Sequence, residues 1–192
     1  MKSDEIKKAA LKYFTIHGYE GTSLSQIAED VGIKKQSIYS HFKGKDDLFL
    51  SVLKDAKEME LSSYVEYFNI MKKSDPEKML YGFLEEMIKM FQEVESLKFW
   101  LRMGFFPPTH LYNEIQKETD DLQVQQEALM EKIFGTWISA GVLNSGDART
   151  LTLAYSGVIV AIMVELVYAD NPDRVAEKLA ASWTIFWRGI SK

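Results

Sequence analysis

The 192-residue chain contains no cysteine and only four prolines, and no stretch of it alternates apolar and polar residues for long. Without cysteine there is no structural disulfide, no thiolate metal site and no thiol nucleophile; the composition fits a reducing compartment, and the cytoplasm is the expected location. An apolar segment at the start is also missing. Met1-Lys2-Ser3-Asp4-Glu5 is polar and runs into an amphipathic stretch, so no export signal is expected. There is no phosphate-binding glycine loop and no HExxH spacing, and His17, His41 and His110 lie far apart. No catalytic residue, metal or cofactor is therefore predicted, and Glu85 and Glu86 read as a solvated helix face.

Positive charge is scarce overall, with a formal net charge of −5. Its distribution carries more information than its sum. Residues 1–50 hold eight lysines and no arginine against seven acidic residues, a balance of +1, which leaves −6 for the remainder. Lys34, Lys35, Lys43 and Lys45 cluster around one short segment, a compact basic spot on an acidic molecule.

What is present is helical periodicity throughout, which predicts an all-α fold. In the first segment Ile6, Ala9, Ala10, Tyr13 and Phe14 share a face, and Gly18 stands where a left-handed C-cap needs a residue without Cβ. Ser23 and Gln26 have the spacing of a capping box for a second helix carrying Leu24, Ile27, Ala28 and Val31, which ends at Gly32. A short helix is expected from about Lys35 to Phe42, anchored by Ile33, Ile38 and Phe42. Gly44, Asp46 and Asp47 then open a long connecting helix. Further helices are predicted over Pro76 to Val94, Glu95 to Gly104, His110 to Ala140, Gly146 to Ala169 and Pro172 to Ile190. Breaks are expected at Phe106-Pro107-Pro108, at Gly141 to Gly146 and at Asp170-Asn171-Pro172.

Two helices joined by a glycine turn can place the second in a DNA major groove while the first braces it. With Ile38 and Phe42 inward, Lys35, Gln36, Ser37, Tyr39 and Ser40 face outward. Lysine and glutamine suit base edges, whereas Ser23, Tyr39, His41 and Lys45 suit phosphate oxygens. By itself this pattern also describes a packing corner in any helical protein, and both Tyr39 and His41 have a packing reading beside the phosphate one.

The run Phe14, Gly18-Tyr19, Thr22-Ser23, Ile27-Ala28, Gly32-Ile33, Ile38-Tyr39, His41-Phe42, Lys45 and Leu48 resembles, at many fixed spacings, the N-terminal signature of the TetR family of regulators. The resemblance covers about the first fifty residues. It implies a two-domain all-α homodimer, a helix-turn-helix DNA-binding domain over 1–48 and a helical effector-binding and dimerisation domain over 49–192. It further implies a repressor released from a palindromic DNA operator by a small apolar or amphipathic effector. By position, Thr22, Ser23, Tyr39, His41 and Lys45 would hold phosphates, and Lys35, Gln36 and Ser37 would approach bases, with Lys34 beside them in the DNA-binding set. Two positions depart from the family pattern: Lys34 replaces a usual capping serine, and Gln36 replaces a small residue.

Beyond residue 50 no motif is recognised. Ala154, Gly157, Val158, Ala161 and Ile162 set small side chains beside branched ones, and Val175, Leu179, Trp183 and Phe186 follow at matching spacing, half of a four-helix dimer seam. Phe99, Trp100, Met103, Phe106, Trp137, Tyr155 and Met163 are possible pocket walls or ordinary core, with Arg102 as an anionic anchor. Leu151 to Tyr168 is short for a membrane span and is interrupted by Thr152, Ser156 and Glu165, so no membrane partner is expected. Glu165 is either a ligand group or the partner of a nearby cation. A helical enzyme, or an interaction module whose helix pair is purely structural, stays open as an alternative.

Overall fold

A computed structural model describes residues 2–144, 146–168 and 171–191. Among them the fold is all-α: α1 (Lys2–His17), α2 (Leu24–Asp30), α3 (Lys35–Ile38), α4 (Lys45–Met71), α5 (Pro76–Glu93), α6 (Glu95–Phe105), a 3-10 turn (Thr109–Leu111), α7 (Tyr112–Ser139), α8 (Ala148–Tyr168) and α9 (Pro172–Ile190). The expected helical residue Ala169 and the expected break residue Asp170 lie outside the described residues.

Local signals set most boundaries. Gly18 has φ +70° and its N–H reaches the Phe14 carbonyl at 3.0 Å, which closes α1. Gly32, at φ +69°, ends the α2 segment in the same left-handed region. Asn171 caps α9 by accepting from the amides of Asp173 and Arg174, with Pro172 at the first position. Two expectations need correction. The helix expected over Lys35 to Phe42 is α-helical only to Ile38, after which His41 and Phe42 both donate to the Ile38 carbonyl at 2.9 Å in a tight turn. The helix expected from His110 starts instead at Tyr112, because Pro107 and Pro108 lead the chain into a 3-10 turn, where Leu111 N donates to the Pro108 carbonyl at 3.0 Å.

The chain forms two compact units, residues 1–62 with 91–120, and residues 63–90 with 121–192. In the first, Ile6, Ala10, Phe14, Ile27, Ile38, Leu48, Phe49, Leu53 and Phe99 form the core. Its aromatic centre is a ring cluster: Phe14 meets Phe49 edge-on at 5.0 Å, and Phe99 from α6 closes on Phe49 at 5.5 Å. So α6 packs on α1 and belongs with the helix-turn-helix. The second unit is built on Leu80, Leu84, Phe134, Tyr155 and Ile162, with α8 packed along α9.

Candidate nucleic-acid interface

The helix-turn-helix begins at a complete capping box. Ser23 Oγ accepts from the Gln26 amide at 3.3 Å, and Gln26 Oε1 accepts from the Ser23 backbone N–H at 2.9 Å. That fixes the start of α2, whose Ile27 and Ala28 are buried, and Ile33 N donates back to the Ala28 carbonyl at 2.9 Å across the glycine turn. Ile38 is fully buried beneath α3 and Phe42 nearly so. With these anchors fixed, Lys34, Lys35, Gln36, Ser37, Tyr39, Ser40 and His41 all stand exposed on one outward surface, Tyr39 at 52%. Lys34 opens α3 without a side-chain cap, as its departure from serine predicts. The surface therefore offers two lysines, an amide, hydroxyls, a phenol and an imidazole: donors for phosphate oxygens and bidentate groups for base edges.

Thr22 differs from its neighbours. It is buried, and its hydroxyl donates to the Gly18 carbonyl at 2.8 Å, tying the α1 to α2 corner. Ser23 is exposed, although its hydroxyl also donates to Gln26 Oε1 at 2.8 Å. Lys45, half-buried at the start of α4, lies with its ammonium 4.0 Å from the centre of the Tyr19 ring. Asp46 and Asp47 occupy the first turn of α4, and Asp47 accepts the Lys43 amide at 2.8 Å.

The model of the bacterial regulatory proteins of the tetR family matches residues 6–52, the segment that contains this surface. The HTH-type transcriptional regulator LmrA of Bacillus subtilis is 30% identical over 96 residues, half of each chain. Residues 6–52 are a DNA-binding segment of the TetR type. The chain spans about half the length of LmrA and 29% of the next curated relative, a transcriptional repressor of Corynebacterium diphtheriae. A TetR-family protein of Mesorhizobium loti, 22% identical, superposes with a TM-score of 0.75 over 100% of this chain and 97% of its own. FadR of Bacillus subtilis, solved with stearoyl-CoA, is 18% identical with a TM-score of 0.72, covering 95% and 96%. Those two likenesses establish that the TetR fold extends through the whole chain.

The residues singled out as pocket walls divide between the units: Phe99, Trp100, Arg102, Met103 and Phe106 belong to the first, Trp137, Tyr155 and Met163 to the second. Phe99, Trp100 and Met103 are buried, Phe106 is exposed, and Arg102 Nη1 donates to the Thr15 carbonyl at 3.1 Å. Tyr155 is fully buried and Trp137 and Met163 half-buried. Of the residues assigned to a dimer seam, Val158, Ile162, Val175, Leu179, Trp183 and Phe186 are covered within the chain. Ala154 and Gly157 are exposed and Ala161 half-exposed. The open face of α8 instead carries Leu153, Val160, Val164 and Tyr168 beside Gly157, and α9 adds Ile185 at 72% exposure. By length and hydropathy α8 could cross a membrane. Its buried stripe, however, packs on α9, and Glu165 pairs with Arg174 at 3.7 Å and Lys178 at 3.8 Å, the rim-pairing reading of that carboxylate.

Several side-chain arrangements were not visible in the sequence. His110 Nε2 lies 3.4 Å from Asp46 Oδ1, and Tyr19 hydrogen-bonds the same oxygen. The Thr152 hydroxyl is fully buried with no hydrogen-bond partner among the described residues. Glu127 is buried and bonded to Gln123 and Arg149.

Proposed function

We propose that the chain is a sequence-specific DNA-binding transcriptional regulator, a cytoplasmic homodimer that represses from a palindromic operator and is released by a small apolar or amphipathic effector. One observation carries the DNA-binding part: the exposed surface from Lys34 to His41, anchored beneath by Ile38 and Phe42, lies inside the segment that matches the family. Lys35, Gln36 and Ser37 reach for bases; Ser23, Tyr39, His41 and Lys45 hold phosphates, and Lys34 adds charge at the edge. The functional division is 1–48 for DNA and 49–192 for effector and partner. Thr22 serves this head by tying its corner.

The dimer reading draws on the apolar stripe of Leu153, Gly157, Val160, Val164 and Tyr168 on α8 with Ile185 on α9, which a second copy would cover by two-fold symmetry. The stearoyl-CoA bound by FadR makes acyl-CoA thioesters the first effectors to try. To act, such a ligand must bind the DNA-incompetent conformation more tightly than the competent one. The chain's lack of a nucleophilic cysteine, a glycine phosphate loop and HExxH spacing supports a non-enzymatic role.

Selection of bound fragments from genomic DNA, followed by titration at several salt concentrations, tests this reading. The expected result is one enriched inverted repeat, bound with an affinity that falls linearly on log–log axes as salt rises. Retention of no fragment above background would sink it.

A further inference from the structure

The phosphate contact assigned to Lys45 depends on what else that ammonium could bind. Its chain neighbour is Asp46, and Glu20 is close enough to act on it electrostatically. A lysine paired to either carboxylate would meet DNA with its charge cancelled and its donors occupied. Yet Lys45 makes no ion pair among the described residues, and its ammonium lies 4.0 Å above the Tyr19 ring. An aromatic face attracts the cation without using any of its three N–H donors.

Asp46 is engaged elsewhere. Its Oδ1 accepts the Tyr19 phenol, and His110 Nε2 stands 3.4 Å from the same atom. His110 also sits edge-on to Tyr19, with ring centres 4.8 Å apart, while Phe49 holds the Tyr19 ring edge-on at 5.2 Å. The hydrogen bond from Tyr19, and after it the contact with His110, keep the Asp46 carboxyl below its ordinary value, so it is ionised at neutral pH. The arrangement joins the corner after α1, the first turn of α4 and the 3-10 turn Thr109–Leu111, all within the first compact unit.

We propose that Tyr19 is the positioning residue for the DNA contact of Lys45: its ring seats the ammonium, while its hydroxyl, together with His110, holds the Asp46 carboxylate away from that lysine. This rests on the DNA-binding reading above. It makes the 3-10 turn after Pro107-Pro108 a determinant of DNA affinity, acting through Asp46. Loss of the ring frees the lysine from its seat. Loss of the hydroxyl or of His110 releases Asp46 to pair with Lys45.

The test uses the full chain and a duplex recovered by selection from a random-sequence library, with affinity measured across salt concentrations. Lys45→Ala should weaken binding on the order of tenfold per half-site and lower the salt slope by about one for each half-site engaged. Tyr19→Leu should reproduce both changes and add nothing in the Lys45→Ala background. Tyr19→Phe keeps the ring and should lose affinity a few-fold, as should His110→Ala, and Asp46→Asn should restore both, which a merely structural role would not allow. Tyr19→Phe and His110→Ala remain informative if Tyr19→Leu fails to fold. Multiplicative losses for Tyr19→Leu and Lys45→Ala, or no restoration by Asp46→Asn, overturn the seat while leaving DNA binding intact. A parent protein that binds no duplex overturns the DNA reading and this role with it.

Discussion

The Tyr155 hydroxyl donates a 2.7 Å hydrogen bond to the backbone carbonyl of Leu80, joining α8 to α5 across 75 residues of sequence. Both side chains are fully buried, and burial pushes the phenol well above its ordinary pKa, so the donor keeps its proton at neutral pH. Phe186 packs on the same ring at 5.5 Å and Phe134 at 6.3 Å. Tyr155→Phe should therefore cost about 0.5–1.5 kcal/mol, the net value of one buried hydrogen bond. Tyr155→Ala should cost about 3–5 kcal/mol by adding a cavity. Urea midpoints of the two variants measure the difference, and equal losses would contradict this division.

The recognition surface predicts two kinds of failure. Tyr39→Ala, assigned to the backbone, should weaken all sequences alike, whereas Gln36→Ala should lose discrimination at one base pair of each half-site, worth about 1–3 kcal/mol. Neither should alter thermal stability much, since both side chains are exposed. Titration against a panel of single-base operator variants separates them. A uniform loss for Gln36→Ala would remove it from the base-reading set.

How much of this was legible follows from the range of each signal. Gly18, the Ser23–Gln26 box, Gly32, Pro76 and Pro172 act within a turn of chain, and each marks a boundary where the sequence places it. The face that α8 turns inward was not legible, because the helix is apolar on both sides: Val158 and Ile162 are buried while Val160 and Val164 are exposed, and periodicity cannot rank two apolar stripes. Nor was the set of Tyr19, Asp46 and His110, whose members lie 27 and 64 residues apart and meet only through the packing of α6 and the 3-10 turn on the head. The Pro107-Pro108 break was visible, but not what it positions.

The open stripe of α8 yields a prediction at Gly157. A Cβ built there meets nothing within 4 Å, so the chain itself tolerates a side chain at this position. Gly157→Ala should even stabilise an isolated chain by about 0.5–1 kcal/mol, through helix propensity. Gly157→Arg should keep the helical circular dichroism yet run as a monomer in light scattering, and its affinity for a two-half-site operator should fall at least tenfold as avidity is lost, roughly a lower bound. A dimeric Gly157→Arg would place the partner surface elsewhere.

Acid sensitivity should centre in part on Glu127. The hydrogen bond from Gln123 at 2.7 Å, followed by the Arg149 contact, holds its carboxyl below the ordinary 4.5. A carboxyl whose folded pKa is depressed contributes stability that is complete above its unfolded value and is lost as pH falls through the folded one. Glu127→Gln should consequently be less stable than the parent at neutral pH, and the gap should close as pH drops below that value. Melting temperatures across a pH series report it, and a gap of constant size would show that Glu127 does not titrate with folding.

Thr152 gives the reverse expectation, a substitution that strengthens the fold. Its hydroxyl lies inside α8 at 0% exposure with no partner among the described residues, so folding strips it of water without returning a hydrogen bond. Valine has nearly the same shape and no hydroxyl, which removes that penalty without opening a cavity. Thr152→Val should raise stability by about 1 kcal/mol. Thr152→Ser keeps the stranded hydroxyl and deletes a buried methyl, and should lower stability by about 1 kcal/mol. If the hydroxyl serves the effector instead, the valine variant will still be the more stable protein, but the thermal shift given by acyl-CoA thioesters will shrink relative to the parent. Denaturant midpoints with and without those thioesters decide between a tolerated defect and a ligand contact. A valine variant less stable than the parent would show that the hydroxyl does have a partner in solution.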